Sequence, residues 1–151
     1  MAYWDTSCLL KLYAPEADSA ALEAHVVSGA TVVTSEITRW ELWAALRRKE
    51  AAGNLSAGGA RQALQAYDAD LLAGQIVMDP LNAAVVAEFE TIIERCVSLT
   101  PPVLLRTLDA MHLAAATVAG EVELVATDRR LREAALTLGF RVYPPPQGTT
   151  D

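Results

Sequence analysis

The chain contains only two cysteines and no long apolar run, and each scarcity excludes a class of protein. Cys8 and Cys96 are its only cysteines, and they lie far apart without a CxxC motif or an adjacent histidine. Neither a zinc ribbon nor a disulfide framework is therefore indicated, and Cys8 is expected in the core. No apolar run approaches the roughly 18 to 20 residues that cross a bilayer. The first residues lack the basic region of a secretory signal, so we expect a cytoplasmic protein without a membrane segment.

Positive charge is also scarce. The 12 Lys and Arg residues are outnumbered by 19 Asp and Glu residues, which gives a formal net charge of −7. This balance argues against a protein that neutralises a nucleic-acid backbone with a broad basic face. It does not exclude a nuclease that reaches phosphate through a bound cation. Two basic clusters, at 47–49 and within 129–132, each follow a candidate acid, and each is typical of a solvated helix surface.

Short apolar strands alternate with helices along the chain. The predicted strands span 2–5, 31–34, 75–78, 123–127 and 140–143. The predicted helices span 7–14, 16–28, 35–52, 60–72, 82–97, 107–118 and 129–138. Because the strands are nearly all apolar, they indicate a parallel α/β sheet that is covered on both faces. We predict one domain over 1–143, followed by an extended, mobile, proline-rich tail over 144–151.

Four acidic residues fall where a parallel sheet would bring them together. Asp5 is the last residue of the first predicted strand, and Asp128 follows the fourth. Glu41 lies two turns into the helix after the second strand, and Asp109 lies in the first turn of the 107–118 helix. Ligands of open α/β sheets bind beyond the carboxyl ends of the strands. The spacing therefore predicts an acidic site at that edge of the sheet.

Each acid taken alone also has a structural explanation. Asp5 and Asp128 are suited to cap helices, and Asp109 favours the positive start of its helix. Glu41 could complete a capping box, although Ser35 starts that helix more naturally and leaves Glu41 in its interior.

Considered together, the four acids favour a metal site. Like charges that are held close and partly buried must protonate or bind a cation. These segments contain too few basic residues to pair all four acids. Dense carboxylate oxygens suit Mg²⁺ or Mn²⁺, which can activate water beside a phosphate.

The segments that carry the acids resemble a known family in order and spacing. They are YWDTSCLLKLY at 3–13, TSEITRWEL at 34–42, RTLDAMHLA at 106–114 and ATDRRL at 126–131. Together they resemble the PIN-domain ribonucleases, especially the VapC-type toxins of type II toxin–antitoxin pairs, over essentially the whole chain. The resemblance implies a three-layer α/β/α fold with a mainly parallel central sheet.

The resemblance also implies a function. It implies an acidic site with supporting hydroxyl groups, made of Asp5, Glu41, Asp109, Asp128, Thr6, Ser7 and Thr127. Asp5, Asp109 and Asp128 would contact one or two Mg²⁺ or Mn²⁺ ions, whereas Glu41 would ligate through water or help to deprotonate the nucleophile. The expected reaction is the hydrolysis of RNA phosphodiesters. The expected partners are a second copy of the chain and a small cognate antitoxin.

Two rival functions are also compatible with the sequence. A nuclease-like domain that only binds a partner is the non-enzyme alternative. An aspartate-dependent phosphotransfer protein fits less well, because position 7 is Ser where aspartyl phosphatases need a second acid.

His112 lies near Asp109 on the helix and is predicted to pack or to form hydrogen bonds rather than to act as a base. Trp43, rather than Trp40, is predicted as the exposed aromatic side chain.

Overall fold

A computed structural model describes residues 1–29 and 31–146, which fold around a five-stranded sheet. The strands are β1 (Ala2–Trp4), β2 (Val32–Ser35), β3 (Ile76–Asp79), β4 (Glu123–Val125) and β5 (Arg141–Tyr143). The helices are α1 (Thr6–Tyr13), α2 (Ser19–Val27), α3 (Glu36–Ala51), α4 (Gly59–Leu72), α5 (Ala83–Val97), α6 (Thr107–Val118) and α7 (Arg129–Leu138). Every predicted strand and helix is present, with bounds that differ by a few residues at most.

The strand order places a crevice beside the central strand. The order is β3-β2-β1-β4-β5, and all four neighbouring pairs are parallel. Tyr3 of β1 is in register with Val33 on one side and Leu124 on the other. β2 and β3 lie on one side of β1. The chain then crosses to the other side of β1, where β4 and β5 lie. Parallel sheets bind ligands at this reversal, beyond the carboxyl ends of the strands.

Alternate side chains of each strand enter two separate cores. Tyr3 and Leu124 point into a core formed with α5, α6 and α7. Trp4 and Val125 point into a core formed with the first four helices. Helices therefore cover both faces, as the apolar strands indicated. The three-layer α/β/α fold is confirmed, and the sheet is wholly parallel.

The carboxyl-terminal end of the domain is held by an arginine. The guanidinium of Arg132 donates to the carbonyl of Ala126 at 2.7 Å and to that of Pro144 at 2.7 Å. The chain is thus attached at the first residue of the predicted tail. Residues 147–151 of that tail lie outside the described residues. In the described part of the chain, no helix is both long and apolar enough to traverse a bilayer.

Candidate functional site

One cleft of about 510 Å³ at the carboxyl edge of the sheet contains every residue proposed for the site. Its lining includes Asp5, Glu41, Asp109, Asp128, Thr6, Ser7 and Thr127. Segments that are far apart in the sequence therefore converge as the strand ends predicted. Two arginines that were not assigned to the site, Arg48 and Arg106, also line the cleft.

Asp5 lies at the end of β1 and caps α1. Its carboxylate accepts hydrogen bonds from the backbone N–H of Ser7 at 3.2 Å and from the Ser7 hydroxyl. The residue is only 7% exposed. Burial raises the pKa of Asp5, against the opposing effects of His112 and of the Ser7 hydrogen bonds. Asp5 thus both caps α1 and lines the cleft.

Glu41 is held at the wall of the cleft by two side chains. Thr6 Oγ1 donates to Glu41 Oε2 at 2.6 Å, and His112 Nε2 lies 2.7 Å from the same oxygen. Burial alone would raise the pKa of Glu41, but the hydrogen bond and charge of His112, together with Thr6, outweigh it and lower that pKa. The sequence prediction that Ser35 starts this helix is confirmed, because α3 begins at the next residue. Glu41 therefore presents an ionised carboxylate from the helix interior.

His112 connects the sheet to the cleft. It is 1% exposed, and its Nδ1 lies 2.9 Å from the hydroxyl of Tyr3. Its Nε2 also lies 3.2 Å from Thr6 Oγ1 and 3.7 Å from an oxygen of Asp5. Since an ionised carboxylate only accepts hydrogen bonds, Nε2 must carry the proton that it shares with Glu41. The prediction of a hydrogen-bonding histidine is correct, but its contacts with two site acids were not foreseen.

Arg106 links the other two acids. Its Nε donates to Asp109 Oδ2 at 2.7 Å and its Nη2 to Asp109 Oδ1 at 3.2 Å. The same Nη2 donates to Asp128 Oδ2 at 3.1 Å. The other oxygen of Asp128 caps α7 by accepting from the N–H groups of Arg130 and Leu131, both at 3.0 Å. The sequence indicated too few basic residues to pair all four acids, and the structure shows one guanidinium shared by two of them. The available signal was the spacing of three residues between Arg106 and Asp109 at a helix start.

The donor set suits a hard divalent cation. Carboxylate and hydroxyl oxygens are the ligands that Mg²⁺ and Mn²⁺ prefer. Within residues 1–29 and 31–146, no three Asp, Glu, His or Cys side chains yet stand close enough to share one ion. Each of the four acids accepts hydrogen bonds from neighbouring groups. A guanidinium already lies between Asp109 and Asp128, so this pair of carboxylates accepts positive charge.

The exposure of the two tryptophans in α3 differs from the prediction. Trp40 is 58% exposed, whereas Trp43 is partly buried. Arg47 and Arg61 cover the Trp43 ring at 5.6 and 4.8 Å from its centroid. The predicted assignment of the exposed aromatic residue to Trp43 is therefore wrong, because the rotation of α3 turns Trp40 outward. Trp4 is fully buried, as predicted.

The fold and the cleft define a class of protein: a three-layer α/β/α domain with an acid-lined site at the reversal of a parallel sheet. The sequence profile of the PIN domain matches residues 2–136. "Ribonuclease VapC35" of Mycobacterium tuberculosis is 33% identical over 153 residues, which cover 97% of this chain and 98% of that protein. "Ribonuclease VapC46" of the same organism is 32% identical over 145 residues, with 95% and 96% covered. The chain belongs to the PIN domain family.

Solved structures agree with this assignment at the level of the fold. The FitAcB structure from Neisseria gonorrhoeae has a TM-score of 0.69 at 21% identity, with 96% of this chain and 98% of that chain covered. Mycobacterium tuberculosis VapC20, described as a sarcin-ricin loop cleaving toxin, has a TM-score of 0.66 at 22% identity, with 89% and 95% covered. The resemblance that the four sequence segments indicated is therefore confirmed.

Proposed function

We propose that the chain is a Mg²⁺- or Mn²⁺-dependent endoribonuclease that acts as the toxin of a toxin–antitoxin pair. The observation that carries the proposal is the convergence of four acids from four segments on one cleft. The names of the two mycobacterial relatives, both called ribonucleases, support RNA as the substrate. An acidic chain with a net charge of −7 needs a bound cation in order to bring a phosphodiester into such a cleft.

Asp5, Asp109 and Asp128 are the proposed metal contacts. A divalent ion held there would neutralise phosphate charge and lower the pKa of a water molecule. Ser7 orients Asp5 through its two hydrogen bonds, and Thr127 lines the cleft beside Asp128. Such neighbouring groups fix the orientation of ligating carboxylates.

Glu41 is the proposed acceptor of the proton from the attacking water. Its carboxylate is held ionised and in a fixed position by Thr6 and His112. In the reaction the water oxygen bonds to phosphorus while the bond from phosphorus to the 3′ oxygen breaks. The water proton passes to Glu41, and the 3′ oxygen takes a proton from solvent. The products then carry a 5′-phosphate and a 3′-hydroxyl.

A protein partner is part of the proposal. One solved structure of the same fold is a toxin–antitoxin complex from Klebsiella pneumoniae, and FitAB was solved bound to a DNA fragment. We propose that this chain likewise binds a small cognate antitoxin and forms a homodimer. Size-exclusion chromatography with light scattering of the chain, alone and co-expressed with its neighbouring gene product, measures both associations. A strictly monomeric chain that copurifies with no partner contradicts this part.

The test of the activity is a cleavage assay on the purified chain, freed of any bound partner. We expect RNA cleavage that depends on Mg²⁺ or Mn²⁺, that EDTA stops, and that Asp5→Asn abolishes with the fold intact by circular dichroism. Asp68→Asn is the matched control, because Asp68 is a partly exposed acid paired with Arg39 away from the cleft. Undiminished cleavage by the Asp5→Asn protein refutes the mechanism. No saturable metal-dependent cleavage by the wild-type chain favours the alternative of a catalytically silent interaction module.

A further inference from the structure

The guanidinium of Arg106 occupies the space between two proposed metal ligands. Its three hydrogen bonds, of 2.7 to 3.2 Å, engage both oxygens of Asp109 and one of Asp128. The fork of the guanidinium matches a carboxylate, which makes this a two-point contact rather than a diffuse attraction. The oxygens that a divalent cation would use are thus already bound to a cation of the chain itself.

The position of Arg106 in the helix is unfavourable without these acids. Arg106 is the N-cap residue of α6, and its side chain makes no capping hydrogen bond. Ser, Thr, Asp and Asn are favoured at this position, and a positive charge is disfavoured at the positive end of a helix. The side chain is 65% exposed, so little packing holds it in place. The two carboxylates are therefore what keeps it in the cleft.

We propose that Arg106 is the internal counter-cation of the acidic cleft and competes with the divalent metal for Asp109 and Asp128. The inference builds on the proposed function, because that function assigns the two acids to the metal. Without metal, Arg106 relieves the repulsion between acids that are held in one cleft. When metal binds, the guanidinium must leave at least one of these carboxylates, and its exposure leaves room for it to turn outward.

The test is the affinity of the purified chain for Mn²⁺ alone, measured by isothermal titration calorimetry. Arg106→Ala is expected to bind Mn²⁺ about fivefold more tightly, since a partly exposed ion pair is worth about 1 kcal/mol and 1.4 kcal/mol is a factor of ten. Arg48→Ala is the matched control. Arg48 lines the same cleft and carries the same charge, but it forms no ion pair within the described part of the chain. Arg48→Ala measures how much the loss of one positive charge without an ion pair changes the Mn²⁺ affinity. We expect this change to be smaller than that caused by Arg106→Ala.

Two further measurements separate competition from mere charge. Arg106→Lys keeps the charge without the two-point fork, and we expect its Mn²⁺ affinity to lie between those of the wild type and Arg106→Ala. Without metal, Arg106→Ala is expected to melt about 2 to 4 °C below the wild type, because the acids lose their counter-cation. The melting temperatures should converge in saturating Mn²⁺.

The possible failures are distinguishable. Mn²⁺ affinity of Arg106→Ala no higher than that of Arg48→Ala overturns the inference, and a lower affinity shows that Arg106 arranges the ligands instead of competing. If the wild type cleaves RNA with Mn²⁺ in either case, the proposed function stands. If neither the wild type nor Arg106→Ala binds Mn²⁺ saturably, both proposals fall.

Discussion

Replacing Asp5 by Asn should stabilise the metal-free protein while removing its response to metal. Asn has the shape of Asp and is an equally good helix cap, so the hydrogen bond from the Ser7 N–H is kept. The substitution removes a buried charge, and desolvation is the main cause of the raised pKa of Asp5. Removing that charge should therefore raise the free energy of unfolding of the metal-free protein. For a chain of this size, each gain of about 1 kcal/mol raises the melting temperature by about 2 to 4 °C.

The order of stability should reverse when metal is added. At a Mn²⁺ concentration 100 times its Kd, binding stabilises a folded protein by about 2.7 kcal/mol. The wild type should gain this and the Asn variant should lose most of it, because a neutral amide is a poor ligand for a hard cation. Differential scanning calorimetry in EDTA and in Mn²⁺ measures the melting temperatures of the metal-free and the metal-bound proteins. Asp68→Asn is the control, and it should not raise the melting temperature in either condition.

The pH dependence of the gain gives an independent check. Because the folded pKa of Asp5 is raised, its charge destabilises the folded state at every pH above that value. The advantage of Asp5→Asn should therefore be complete at pH values above the raised pKa of Asp5 and shrink as the pH falls through that pKa toward the ordinary value of 3.8. A lower melting temperature of the variant in EDTA at pH 7, or an unchanged response to Mn²⁺, would refute this account of the site.

Three other changes test separate parts of the network. Glu41→Gln keeps an acceptor for its neighbours but removes the charge, so kcat should fall at least about a hundredfold, as for a lost general base; an unchanged kcat in steady-state cleavage contradicts that role. Tyr3→Phe leaves Nδ1 of His112 without its hydrogen-bond partner and should lower the free energy of unfolding in urea by about 1 kcal/mol, so an unchanged midpoint argues against the hydrogen bond. Arg48→Ala, but not Arg47→Ala outside the cleft, should reduce the slope of log affinity for single-stranded RNA against log salt by about 0.7. Equal slopes in filter binding contradict a phosphate contact by Arg48.

The parts of the site that the sequence predicted are those that depend on the ends of elements. Asp5 directly follows β1, Asp128 comes shortly after β4, and both cap helices, so their place at one sheet edge follows from a parallel topology. The same local signals placed α6 and α7, whose observed bounds agree with the prediction. Strand ends and helix caps are encoded within a few residues, which makes them accessible without a structure.

The contacts that were missed depend on how whole elements are rotated and packed. The role of His112 requires Tyr3 from β1 and Glu41 from α3 to meet on one side of α6. Likewise, the exposure of Trp40 rather than Trp43 is set by the angle at which α3 lies on the sheet. Arg106 was overlooked because a basic residue near a helix start resembles ordinary surface. The contacts of His112 and the exposure of Trp40 are not determined by residues that are close in the sequence.

The capping hydrogen bonds of Asp5 and Asp128 have a consequence for how this protein can lose its activity over evolutionary time. Each carboxylate also secures the first turn of a helix, so a mutation to Ala removes a cap that is worth about 1 kcal/mol. Inactive descendants that still fold should therefore carry Asn, Ser or Thr at these positions more often than Ala or Val. The helix ends restrict which silent forms of the domain can persist.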